Sequence, residues 1–177
     1  MRERLEKLFP ELQLISDREL REKTIKVWME AMKKGGWRLE ELEKMPFTLL
    51  VEKVDINIVK HTRAVTQCAL KIAGVLKEVY GQEFALNRDY LISGALLHDV
   101  GKLFEYTKEG KKFVKSREGK LLRHPISGAA FASRYQLPSE VIHIIACHSK
   151  EGDGVKRTPE AVIVNHADFT NFEIFKE

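Results

Sequence analysis

The chain has 177 residues, 44% of them hydrophobic and 32% charged, which is enough apolar material for one buried core beneath a well-solvated surface. Its net charge of +4 suits an anionic substrate better than a cationic one, and is too small to favour nucleic acid as a partner. Met1–Lys7 lacks the apolar stretch of a secretory leader and no apolar run approaches about 18 residues, so a cytoplasmic protein with no membrane partner is expected.

Helical signals run through most of the sequence. Ser16 followed by Glu19 reads as a capping box opening a helix that stops at Gly35-Gly36. A short helix is expected over Arg38–Lys44, ahead of Met45-Pro46. From Asn57 to Tyr80, His61, Val65, Cys68, Ile72, Val75 and Val79 recur at helical spacing, and Gly81 stands where a C-cap glycine belongs. Arg88 to about Val100 forms the next helix, closed by Gly101. Residues 105–123 break the pattern: two charged, glycine-containing turns flank Phe113-Val114, as in a small exposed hairpin or a mobile loop. Helices resume at Pro125–Tyr135, Pro138–His148 and Pro159–Phe172, each with proline near its first turn. Ser149–Gly154 reads as a flexible polar loop, and the segment Ser149–Lys156 is expected to be mobile and to close over an anionic ligand through Lys150, Lys156 or Arg157. Cys68 and Cys147, far apart and unaccompanied, read as buried, reduced packing residues. An all-α bundle follows.

Six residues of metal-ligand type punctuate these helices: His61, His98-Asp99, His124, His148 and Asp168. One histidine on an apolar helix face is ordinarily a packing residue. Here, however, His98 and Asp99 end the apolar run Leu91–Leu97, His148 ends Val141–Cys147, and Asp168 follows Ala161–Val164. A carboxylate at the end of a buried helix is costly unless it is paired or coordinates a metal. His143 lies five residues before His148, about 140° away around the helix, and reads as structural. His166 also reads as structural, with a supporting role behind the ligands the better of its functional options. Phe104 and Tyr106 fit core packing better than stacking on a base.

The order His61 … His98-Asp99 … His124 … His148 … Asp168, with Leu96-Leu97-His98-Asp99-Val100-Gly101-Lys102 at its centre, resembles the HD superfamily of metal-dependent phosphohydrolases over roughly residues 57–170. His124–Ala129 and Asn165–Asp168 add to the likeness. The resemblance implies an all-α HD-domain bundle, assigned to residues 51–177; the residues themselves add a helical N-terminal extension in 1–50 and the small hairpin-like insertion. The resemblance further implies two divalent transition-metal ions (Fe, Mn, Co, Ni or Zn) that activate a bridging hydroxide. His61, His98, Asp99 and Asp168 would hold the first, and Asp99, His124 and His148 the second. Asp99 and Lys102 are the implied catalytic residues, Lys102 beside the substrate phosphate; Lys156 and Arg157, after a glycine-rich loop, are further candidates for substrate contact.

Departures from subfamily patterns narrow the activity. Lys102-Leu103 stands where alarmone hydrolases carry Glu-Asp, Gly154-Val155-Lys156 where cyclic-di-GMP phosphodiesterases carry Gly-Tyr-Pro, and the histidine-rich extension of deoxyguanosine triphosphatases is missing. His98–Glu105 followed by Gly119–His124 is similar instead to small stand-alone HD proteins and to the HD module of a bacterial exoribonuclease. The expected activity is phosphodiester or phosphomonoester hydrolysis on a small nucleotide-like substrate. Two alternatives stay open: a di-iron oxygenase, and a regulatory module without turnover. Nothing in the pattern specifies an oligomeric state.

Overall fold

The computed structural model describes residues 1–51 and 55–176 and is helical apart from one hairpin. In chain order the elements are α1 (Arg2–Leu8), α2 (Arg18–Gly35), α3 (Leu39–Leu42), α4 (Ile58–Tyr80), α5 (Arg88–Leu97), α6 (Lys102–Glu105), β1 (Tyr106–Glu109), β2 (Lys112–Lys115), α7 (Arg117–Leu121), α8 (His124–Ala132), α9 (Ser139–Cys147) and α10 (Pro159–Glu173). Among the described residues, no helix is long and apolar enough to cross a membrane.

α5 is the axis of the bundle. Every residue from Leu91 to Leu97 is buried, and α2, α4, α9 and α10 pack around it. A helix apolar on all sides has to sit at the centre of such an arrangement. The polar exception, Ser93, shares a hydrogen bond with Thr24 of α2 (2.8 Å). Gly94 lets α9 approach, because a Cβ there would lie 2.5 Å from Ile144.

The first fifty residues are welded to this bundle. Leu5, Phe9, Trp28 and Met32 share one apolar cluster with Ile92, Leu96, Val100 and Ile145. A helix end leaves its last carbonyls without intrahelical partners, and two tryptophans meet that need. Trp28 Nε1 donates to Leu96 O at the end of α5 (3.0 Å), and Trp37 Nε1 donates to Leu103 O of α6 (2.8 Å). α1 and the 3₁₀ turn Pro10–Leu14 precede α2, where the sequence pattern gave no helix signal.

Local differences from expectation have physical causes. The cap of α2 is Asp17, which accepts from Leu20 N (3.1 Å), rather than Ser16. The amides of Ser16 and Asp17 both donate to the Asp89 carboxylate (3.0 and 2.8 Å), so a long-range contact sets the start of the helix. α5 ends three residues early, leaving His98–Gly101 as turns that lead into α6. Residues 106–115 form the hairpin, with Gly110 in its turn at φ 60°. The second charged stretch is α7, held against α6 by Ser116 Oγ on Phe104 O (2.6 Å). Cys147 is buried as expected and Cys68 only half-buried.

Candidate metal centre and substrate cavity

The six ligand-type residues converge on one point at the C-terminal end of α5. His61 is in the first turn of α4, His98 caps α5, Asp99 follows in the turn, His124 opens α8, His148 caps α9 and Asp168 lies within α10. The four imidazoles and Asp99 are buried, and Asp168 is nearly so. Helix ends place five of these side chains at a common opening, and α10 presents the sixth, Asp168, from its interior.

Asp99 is central, and its two oxygens face different partners. Oδ2 lies 3.5 Å from His61 Nε2 and 3.3 Å from His98 Nε2, while Oδ1 lies 3.3 Å from His124 Nε2 and 3.8 Å from His148 Nε2. Asp168 Oδ1 joins the first side, 3.0 Å from His61 Nε2 and 3.8 Å from His98 Nε2. Two groups with metal-binding geometry result, His61-His98-Asp99 and Asp99-His124-His148, each with its candidate atoms within 4.8 Å of one another.

The outer nitrogens fix the tautomers. His98 Nδ1 meets Ala95 O (2.6 Å), His148 Nδ1 meets Ile145 O (2.8 Å) and His124 Nδ1 meets Glu105 Oε2 (2.7 Å). These partners only accept, so Nδ1 carries the hydrogen and Nε2 of the neutral ring carries a lone pair. His124 and His148 then point lone pairs at each other across 3.3 Å. His98 Nε2 and Asp99 Oδ1 are buried with no hydrogen-bond partner among the described residues. Such a cluster of inward-facing lone pairs is repulsive unless a cation lies among them, and imidazole with carboxylate suits divalent transition metals.

The electrostatics agree. Burial pushes the His148 pKa down to about 3 and lowers that of His61, keeping both rings neutral as ligands must be. Burial also opposes charge on His98, but Asp99 outweighs it and raises the pKa, so the carboxylates favour a cation at Nε2. Burial disfavours the Asp99 anion, yet the Lys102 ammonium and His98 hold its pKa well below the usual carboxylate range.

Lys102 is buried beside the centre, donating from Nζ to Asp99 Oδ2 (2.6 Å) and Phe47 O (2.5 Å). An ammonium has three donors, so one is left to face the cavity that Lys102 lines. Removing one partner of a buried ion pair costs about 3–5 kcal/mol. Lys102→Met is therefore expected to unfold in urea with chelator that much more easily than the wild type, and a transition metal should narrow the gap by taking over Asp99. Equal stability of the two proteins in chelator would refute the pairing.

The centre opens into a cavity of about 230 Å³. Lys102, Lys115, Arg123, His124 and Lys150 line it, together with Phe47, Leu49, Leu50, Phe169 and Phe172. Lys156 and Arg157 are absent from the lining. Lys156 is exposed elsewhere, and the Arg157 guanidinium is spent on Cys147 O (2.7 Å), Ser149 O (2.9 Å) and Asp153 Oδ1 (2.8 Å). The loop after His148 is thereby pinned to α9, and Gly152 packs so closely that a Cβ would lie 2.5 Å from Cys147 O. A larger hollow of about 540 Å³ between α4 and residues 82–88 is lined by no histidine or carboxylate, so the chemistry is not there.

Three contributors escaped sequence reasoning. Glu105 Oε2 holds both His124 N and Nδ1 at 2.7 Å, and despite burial these bonds bring its pKa down to about 2. Asn165 donates to His148 O (2.7 Å), whereas its neighbour His166 is exposed and supports no ligand. Phe47 lies tilted against His61 with ring centres 4.7 Å apart. Glu105 lay within the quoted His98–Glu105 run; nothing local marked Phe47. His143 is structural as expected, near Cys147 Sγ and Thr158 N, and Phe104 packs on Phe131 in the core.

The family model described as HD domain matches residues 58–170. A dihydroneopterin 2′,3′-cyclic phosphate phosphodiesterase of Methanocaldococcus jannaschii is 33% identical, the match covering 96% of this chain and 70% of that protein. Ribonuclease Y of Fervidobacterium nodosum is 33% identical over 112 residues, 63% of this chain and 17% of that protein. Ribonuclease Y of Thermotoga maritima is 36% identical over 86 residues, 49% and 14% of the two chains. No solved structure gives a significant match.

Proposed function

The chain belongs to the HD-domain family and is a metal-dependent phosphohydrolase, and we propose that it hydrolyses a small, nucleotide-like cyclic phosphodiester at a two-ion centre. The observation that carries the two-ion reading is the division of Asp99, one oxygen toward each ligand group. His61, His98, Asp99 and Asp168 would hold one ion; Asp99, His124 and His148 would hold the other. Bound ions would supply Lewis acidity, acidifying a water and polarising the phosphoryl group. The residues around them do the rest. Lys102 and the cavity cations Lys115, Arg123 and Lys150 orient the phosphate and offset its charge. We assign the chemistry to residues 51–177, with residues 1–50 a structural part of the site's wall.

The cyclic diester reading rests on the extent of likeness: the cyclic phosphate phosphodiesterase matches nearly the whole chain, the ribonucleases 63% of it or less and under a fifth of their own length. Metal analysis of the purified protein, followed by assay with Mn²⁺, Fe²⁺, Co²⁺, Ni²⁺ or Zn²⁺ on nucleoside 2′,3′-cyclic phosphates and on phosphomonoesters, tests it. Turnover of the cyclic diesters and little of the monoesters is expected. The reverse preference would overturn the diester assignment.

Glu105 is a positioning residue in this scheme. Glu105→Gln keeps an acceptor for one bond to His124 but loses the charge that strengthens Nδ1–H donation. The affinity of one of two metal sites is expected to fall by roughly 10–100-fold, the usual effect of losing such a support. Titration with Zn²⁺ against a chelating dye would read it, and unchanged affinity at both sites would remove Glu105 from the scheme.

A further inference from the structure

The cavity is divided. Lys102 holds its metal-centre end, while Phe47, Leu49, Leu50, Phe169 and Phe172 supply an apolar wall, with Glu173 and Lys176 also in the lining. Phosphate chemistry has no use for such a wall, so its occupant is a part of the substrate that does not react. Two of the aromatic rings come from α10: Phe169 directly follows the ligand-type Asp168, and Phe172 stands one turn on. One helical turn is about 5.4 Å, comparable to the width of a sugar ring. The third ring comes from outside the region that the HD-domain model matches: Phe47 lies ahead of residue 58. Phe47 and Phe172 meet edge to face, with centres 6.4 Å apart, while Phe47 also rests on His61. Leu50 is 75% exposed at the same cavity, a large apolar side chain left in solvent where a ligand would cover it.

We propose that this wall is a specificity site for a flat heterocycle: Phe172 and Leu50, with the buried Phe47 backing Phe172, receive the ring of the substrate while its phosphate lies beside Lys102 at the metal centre. The proposal rests on the phosphodiester reading above and deepens it. A planar aromatic ring suits the wall because every heterocycle offers a π face to an aromatic side chain, whatever its edge pattern. The segment 47–50 is therefore a selectivity element that the chain adds to the HD bundle. Its position is locked by the bond from Lys102 Nζ to Phe47 O, which ties the wall to the residue paired with Asp99.

The test compares two cyclic esters on the metal-loaded full chain, guanosine 2′,3′-cyclic phosphate and glycerol 1,2-cyclic phosphate, which lacks a ring. In Phe172→Ala the ratio of kcat/KM for the first over the second is expected to fall about tenfold or more, chiefly through KM, in the range for losing one base stack. Leu50→Ala, at an exposed position that the fold does not need, should lower the ratio in the same direction, and Phe172→Trp should restore it. Calorimetry with guanosine 3′-monophosphate supplies a readout independent of turnover, with affinity falling by a similar factor in Phe172→Ala. Unchanged ratio and unchanged affinity would overturn the wall's role. Absence of turnover on both esters by the wild type would overturn the diester reading instead, and the calorimetric comparison would still decide whether a ring occupies the wall.

Discussion

On the proposed two-ion reading, Asp99→Ala is expected to strip both metal ions from the protein and to lower turnover by at least about a thousandfold. The reason is the position of one carboxylate between two sets of imidazoles, with Oδ2 at 3.3 Å from His98 and Oδ1 at 3.3 Å from His124. No other described residue faces both sets: Asp168 meets only His61 and His98. Loss of one dominant electrostatic element ordinarily costs two to three powers of ten, and here two groups fail together. The alanine variant also leaves Lys102 buried without its partner, so a fold defect has to be separated from a metal defect. Asp99→Asn does this, since it keeps the shape and one acceptor while losing the bridging charge. Elemental analysis should give close to zero ions for alanine and at most one for asparagine. Full occupancy in a folded Asp99→Ala protein would show that Asp99 does not bridge.

The cluster of ligand-type residues was legible because they are of a rare chemical type beside apolar helical runs, and both facts survive in one dimension. His61, His98, Asp99, His124, His148 and Asp168 do meet, each where a helix begins, ends or reaches the opening. Contacts made across the fold were not legible. Phe47 reaches His61 through a reversal that begins at the isolated bridge from Pro46 to Asn57. The start of α2 is set by Asp89, more than seventy residues away. Lys156 and Arg157 had the right charge for substrate contact, but Arg157 serves the carbonyls left at the end of α9 and its loop. Of the cations that line the cavity, Lys150 lies in the loop expected to meet an anionic ligand, whereas Lys115 and Arg123 sit in segments whose charge looked like ordinary solvation.

Gly101 offers the second large effect, for a reason that its place after a helix concealed. Sequence alone makes it a helix-closing glycine, which would need the left-handed region. Its φ of −65° and ψ of −18° are open to any residue. What excludes a side chain is the backbone of α8: a Cβ on Gly101 would lie 2.1 Å from His124 O and 2.8 Å from Gly128 N. Gly128 is small for the same reason, its own Cβ position being 3.0 Å from Gly101 N. Backbone atoms in a packed helix cannot swing aside as a side-chain tip can, so Gly101→Ala has to push α8 away from the turn that carries His98 and Asp99. Overpacking of this kind costs about 1–3 kcal/mol and sometimes more, which for a chain of this size lowers Tm by roughly 2–12 °C. The displacement also acts on function, because His124 is the first residue of α8 and its bonds to Glu105 hold it in place. The group Asp99-His124-His148 should lose its ion while His61, His98 and Asp168, carried by α4, α5 and α10, keep theirs. Gly101→Ala is therefore expected to fold, to melt earlier, and to bind one ion fewer than the wild type. A variant that matches the wild type in both Tm and metal content would mean that α6 and α8 have room between them, contrary to the 2.1 Å approach.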